Sequence, residues 1–254
     1  MLVTYARARL FLGIATVGSM VTLCVLALAL RLPLQVFSMS TTNIVDTAKG
    51  LTLSCGLYAA VALPFDFIGG YLLERIFHRD VPQLGNFAYR LMRGILAQGC
   101  VYVACGLALI EMHVRFGNIG VILMFVALQL LLVTCQLPLA MFVGGLKRTQ
   151  DGLMGQGPYG TGGIIGFLGS ETVVLPMHWK PLLSNKLLSV MESRRRYAIA
   201  SGFRRNGVLL ALAWNIGGFA ISVVLAGGTG SVASLLSTSL FFSLTSFIGL
   251  LVLP

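Results

Sequence analysis

Few residues in this chain are equipped for chemistry. In LLSVMESRRRY, residues 187 to 197, one glutamate, Glu192, stands just ahead of three consecutive arginines, Arg194, Arg195 and Arg196. A carboxylate held on a helix can act as a general base. The same group four residues before an arginine makes a surface ion pair worth about 0.2–0.5 kcal/mol. Asp66, in LPFDFIGGYLLER, is the only acid well inside an apolar run. Placing it at bilayer depth costs about 3 kcal/mol, which makes it a candidate for moving a proton or coupling an ion. Against that, Asp66 stands about seven residues, roughly 10 Å along a helix, from the end of its run. There water is within reach, and it can pair with Arg75 or Arg79 or cap the chain after Pro64. A relay needs several titratable groups, and the other runs offer only Glu111, at the edge of the third. His78 and His178 each lack a partner at metal-ligand spacing.

Two other patterns carry less. Gly155, Gly157 and Gly160 satisfy GxGxxG in a segment with eight glycines between Gly152 and Gly169. That motif cradles a pyrophosphate only between a strand and the start of a helix. Here an apolar run and a polar turn precede it and Pro158 interrupts it, so a connector or hairpin is expected and no cofactor. The five cysteines, Cys24, Cys55, Cys100, Cys105 and Cys135, all lie in apolar runs and form no CxxC pair. They read as small buried hydrophobes.

The elements that must position these groups are set by composition. The chain has 254 residues, 57% hydrophobic and 10% charged, where a soluble domain carries about 25% charged residues. Six apolar runs, near 9 to 31, 51 to 73, 94 to 112, 118 to 144, 207 to 226 and 231 to 253, approach or exceed the roughly 18 residues that cross a bilayer. Backbone in lipid must satisfy its own polar groups, so these runs are expected to be helices. The first is too long and evenly apolar for a cleaved signal peptide and is read as retained. The fold class expected is an all-α polytopic membrane protein of about six transmembrane helices. Residues 1–144 supply helices 1–4, 145–206 form a cytoplasmic insertion with a short β-hairpin and an amphipathic helix, and 207–254 supply helices 5–6.

The formal charge is +10, yet neither base-stacking aromatics on a basic surface nor a known module is visible, so nucleic-acid binding is not expected. Counted by alternate loops, lysines and arginines divide 15 to 3. Such an excess marks the cytoplasmic side and predicts both termini there, in the cell membrane. Nine of the 15 fall between 145 and 206, where anionic lipid headgroups are the expected contact, at about 1 kcal/mol per basic residue.

Within that insertion ETVVLP (171–176) reads as a strand of β-branched residues. Ser184 is a plausible N-cap for a helix whose apolar face is Leu187, Leu188, Val190, Met191 and Ile199. Arg194, Arg195, Arg196, Arg204 and Arg205 surround that face, the pattern of a basic helix lying on a leaflet. Gly69 with Gly70, and Gly217 with Gly218 and Ser222, read as close helix contacts. Trp214 and Asn215 read as membrane polar groups that bond a neighbouring helix.

Taken in order, LPFDFIGGYLLERIFHR (63–79), two further spans, the glycine-containing segment GGIIGFLGSETVVLP (162–176) and the helix after it resemble the integral-membrane zinc metallopeptidases of the CAAX prenyl endopeptidase type, over about residues 50 to 220. The resemblance implies HExxH on that helix, with two imidazoles on one face binding zinc and the glutamate taking a proton from zinc-bound water. Aligned by the glutamate, Met191 stands at the first histidine, Glu192 at the base and Arg195 at the second histidine. The third ligand that the resemblance implies, a glutamate on a later helix, is missing too, since residues 193–254 hold no Asp, Glu or His. The expectation is a degenerate, non-catalytic peptidase-like scaffold that binds a membrane partner or substrate segment, with Glu192 paired to Arg195 or Arg196. Two alternatives stand beside it: a transporter or channel-like component using Asp66, and an active membrane metallopeptidase with unusual ligands, His78 or His178 among them.

Overall fold

The computed structural model describes residues 4–37, 43–78, 83–142, 146–149, 152–155, 162–176 and 179–252. The protein is an all-α polytopic membrane protein carrying a small sheet. Helix α1 (Tyr5–Ala29) starts at Thr4, whose hydroxyl accepts the Arg7 N–H, and α2 (Leu32–Val36) follows a left-handed Arg31. Helix α3 (Ile44–Phe67) is capped by Asn43 and runs through Pro64 into a π-helical turn, Ile68–Leu72, which leads to α4 (Leu73–Ile76). After α5 (Leu84–Thr134) and α6 (Gln136–Phe142) come four strands: β1 (Lys147–Thr149), β2 (Gly152–Gly155), β3 (Gly163–Ile165) and β4 (Thr172–Pro176). The chain finishes through α7 (Trp179–Leu182), α8 (Asn185–Ala200), α9 (Phe203–Ala226) and α10 (Val232–Val252).

Among the described residues five helices are long and apolar enough to cross a membrane. The longest, α5, has 51 residues, roughly 76 Å if straight, against a hydrocarbon core of about 30 Å. It is not straight. Gly117 adopts φ 63°, ψ −155°, a region essentially reserved for glycine. A methyl placed on Gly120 would lie 2.9 Å from the Met112 carbonyl oxygen, whereas eight residues of straight helix cover about 12 Å. The chain therefore turns back at Gly117, and the two arms of α5 correspond to the third and fourth apolar runs. The first arm begins at Leu84, ten residues earlier than its run.

Two compact units divide the chain. The first comprises residues 1–128 with 213–254, the second 129–212. In the first, Leu51, Leu109, Val121, Phe125, Phe219, Val223, Val232 and Leu235 form the core. Phe125 and Phe219 stack with centroids 3.8 Å apart, and Phe242 meets both rings edge-on. Because lipid is as apolar as leucine, such packing rather than water exclusion holds membrane helices together. The large apolar side chains left outward on α1, α3 and α5 are what a lipid-facing surface requires. On α10, Ser237, Thr238, Ser239, Ser243 and Ser246 each bond the carbonyl four residues back, which lets a hydroxyl-rich helix sit in lipid without unmet polar groups.

In the second unit the sheet order is β1-β2-β4-β3, with β2 and β4 parallel and the outer pairs antiparallel. The expected strand at 171–176 is β4, and the sheet around it is larger than one hairpin. Val133, Val208 and Leu212, with Phe167 against them, form a separate apolar cluster.

Candidate functional site

Helix α8 begins where the sequence places it. Ser184 is the N-cap, its hydroxyl accepting the Leu187 N–H at 3.4 Å, and α8 packs on β4 and α7. Its apolar face is arranged differently from the expectation. Leu188, Met191 and Ile199 are half-buried, whereas Leu187 and Val190 are exposed, because β4 covers only one side of the helix.

Glu192 is engaged on its own helix. Arg196 donates Nε at 2.8 Å and Nη2 at 2.6 Å, both to Oε1. Arg195, the other expected partner, points elsewhere. Its Nη1 donates to the Met191 carbonyl at 3.1 Å and its guanidinium carbon lies 5.7 Å from the centre of a Trp179 ring. Gly162 makes room for that guanidinium, since a methyl there would lie 2.5 Å from Arg195 Nη2. Zinc does not fit these donors. Met191 offers a thioether, Arg195 stays protonated and repels a cation, and the only carboxylate is already covered by Arg196. Among the described residues no three His, Cys, Asp or Glu side chains converge as a metal-binding group. His178, Gly157 and Gly160 lie outside the described residues, and His78 lies in the turn after α4 in the other unit. Gly155 ends β2, and the next described element is another strand, β3.

The remaining basic residues behave unequally. Arg194 and Arg205 are exposed. Arg204 has its Nε shut away without a hydrogen-bond partner.

Among the expected membrane polar groups, Asp66 is exposed on α3, two residues before the π-helical turn. Among the described residues no bond joins it to Arg75, and Arg79 lies outside them. Nor does Asp66 cap a helix end, because α3 continues past Pro64. Asn215 is half-buried and makes no hydrogen bond among the described residues, while its neighbour Trp214 donates Nε1 to the Thr245 carbonyl at 3.0 Å, joining α9 to α10. Gly218 faces Thr245 on α10 and Gly217 faces open space, so one glycine of that pair is a close contact. Gly69 and Gly70 both are, against Leu12 and Phe87. The cysteines are free thiols, half-exposed or, for Cys100, exposed, and none is fully buried.

Three features escaped the sequence reading. Glu74, only 3% exposed, accepts the Tyr5 hydroxyl and pairs with Arg9 at 3.2 Å, while Arg9 Nε donates to the Tyr5 oxygen at 2.9 Å. This clasp fastens α1 to α4. The cue was the Tyr5–Arg9 spacing of one helical turn, but nothing in the sequence pairs it with residue 74. His113 Nδ1 accepts the Thr229 backbone N–H at 3.3 Å, and its ring lies across Gly228 and Gly230. An open apolar groove of about 340 Å³ lies between α3 and α5, lined by Leu63, Pro64, Phe67, Leu84, Phe87 and Leu91 among others.

No protein-family model matches the chain, and neither a curated protein nor a solved structure does.

Proposed function

We propose that this multi-pass membrane protein is a non-catalytic, peptidase-like scaffold that binds an apolar segment of a membrane partner without cleaving it, in the cell membrane with both termini cytoplasmic. The observation that carries the reading is the state of Glu192: its carboxylate is held by Arg196 through two hydrogen bonds, with Met191 and Arg195 where imidazoles would be needed. Arg196 occupies Oε1 of this carboxylate, and a thioether and a guanidinium on either side of it are unsuited to holding zinc. The groove between α3 and α5 supports the binding half of the proposal, since its walls suit an apolar segment and not a polar one.

Elemental analysis of the purified protein tests it. Substoichiometric zinc, unchanged in Glu192→Ala, is expected. Stoichiometric zinc that this substitution abolishes, or chelator-sensitive proteolysis, overturns it. A photoreactive residue in place of Phe87 is expected to cross-link an intact, uncleaved partner.

A second reading rests on Asp66. An acid without a partner among the described residues, beside a π-helical turn, has the placement of a coupling group, because such turns often occur at functional sites. It predicts that Asp66→Asn abolishes solute or proton flux in liposomes while the fold persists. No difference in flux between the two proteins removes this reading.

A further inference from the structure

The side of α8 turned away from the sheet carries Leu187 (43% exposed), Val190 (56%) and Tyr197 (67%). At about 100° per residue these three fall within one quadrant of the helix, with Arg194 among them and Lys186 at the edge. Leu182 and Phe203, just before and just after the helix, are also strongly exposed. Among the described residues no acidic side chain stands on this face. Glu192 lies on the far side under Arg196, and Glu171 is occupied by the Gly169 N–H. Only Ser201 and Gly202 separate α8 from α9, a helix long and apolar enough to cross the membrane.

We propose that this outer face of α8 docks on an anionic bilayer surface, with Leu187, Val190 and Tyr197 entering the acyl boundary and Lys186 and Arg194 meeting lipid phosphates. The face is charge-complementary to anionic headgroups and is continuous with a membrane-crossing helix, so the bilayer surface lies within a turn of its end. An aromatic ring with a polar tip is a side chain suited to that depth. The assignment divides the five arginines of this region. Arg194 reads lipid, while Arg195 and Arg196 are committed to Trp179 and Glu192. It is independent of the peptidase-like reading, since zinc binding would leave the outer face unchanged.

The test uses full-length protein in nanodiscs of phosphatidylcholine, with or without phosphatidylglycerol. A fluorophore at Val190→Cys, in a background lacking the five native cysteines, is read by quenching from tail-brominated lipid. Docking is expected to rise with phosphatidylglycerol, to fall at high salt, and to weaken about fivefold for each of Lys186→Gln and Arg194→Gln, the factor that about 1 kcal/mol per charge represents. Arg196→Gln is expected to leave it unchanged. Hydrogen exchange on the unmodified chain gives a second readout: α8 amides slow in phosphatidylglycerol discs and not in phosphatidylcholine alone. Equal, weak quenching and equal exchange in both compositions overturn the proposal and leave the face to a protein partner.

Discussion

Replacing Gly117 by alanine isolates the backbone geometry that turns α5 into two spans. At φ 63°, ψ −155° a Cβ is strained, at a cost of about 1–3 kcal/mol. Nothing lies within 4 Å of where the methyl would go, so steric overlap with neighbours adds nothing and the whole penalty is conformational. Gly56→Ala is the matched control. It is a helix-interior glycine of α3 with the same open space around it, and there alanine gains about 0.5–1 kcal/mol through helix propensity. The two substitutions add the same methyl yet should move stability in opposite directions, separated by about 1.5–4 kcal/mol. Unfolding of each variant in mild detergent by denaturant titration, against the parent, measures the difference. If Gly117→Ala proves as stable as Gly56→Ala, the turn is absent and α5 is one continuous helix.

Other perturbations test other joints of the structure. Glu74→Gln keeps the shape of the clasp but turns charge-assisted bonds into neutral ones, and a loss of about 1 kcal/mol is expected. In a double-mutant cycle with Tyr5→Phe, the two effects should fail to add. His113→Phe retains the ring between Gly228 and Gly230 but strands the Thr229 N–H, which should cost about 1–3 kcal/mol and speed hydrogen exchange in the loop between α9 and α10. Phe219→Ala removes one ring of the central stack, and a loss of about 3–5 kcal/mol is expected by thermal unfolding. Gly162→Val pushes Arg195 off Trp179, and the change should appear in tryptophan fluorescence while the Glu192–Arg196 pair and overall stability persist.

The sequence by itself determined the solvent this protein folds in and the elements it folds into. Twenty-residue apolar runs have one hydrogen-bonding solution in lipid, so the existence of the spanning helices was legible though not their ends, and so were β4 and the Ser184 cap, because β-branching and capping act locally. That Met191 and Arg195 are unsuited to holding zinc was equally legible, since ligand chemistry is a property of the side chain alone. The tertiary structure decided which groups meet. Glu74 finds Tyr5 and Arg9 across 69 and 65 residues of chain, His113 meets Thr229 across 116, and Arg195 turns to Trp179 while Arg196 takes Glu192. Asp66, prominent in the sequence, is left exposed, whereas among the described residues the buried acid is Glu74. Helical periodicity specifies that a face exists, but which of two apolar sides of α8 is covered depends on where β4 lies. That placement follows from strand pairing and chain reversal between distant segments, interactions that local sequence does not encode.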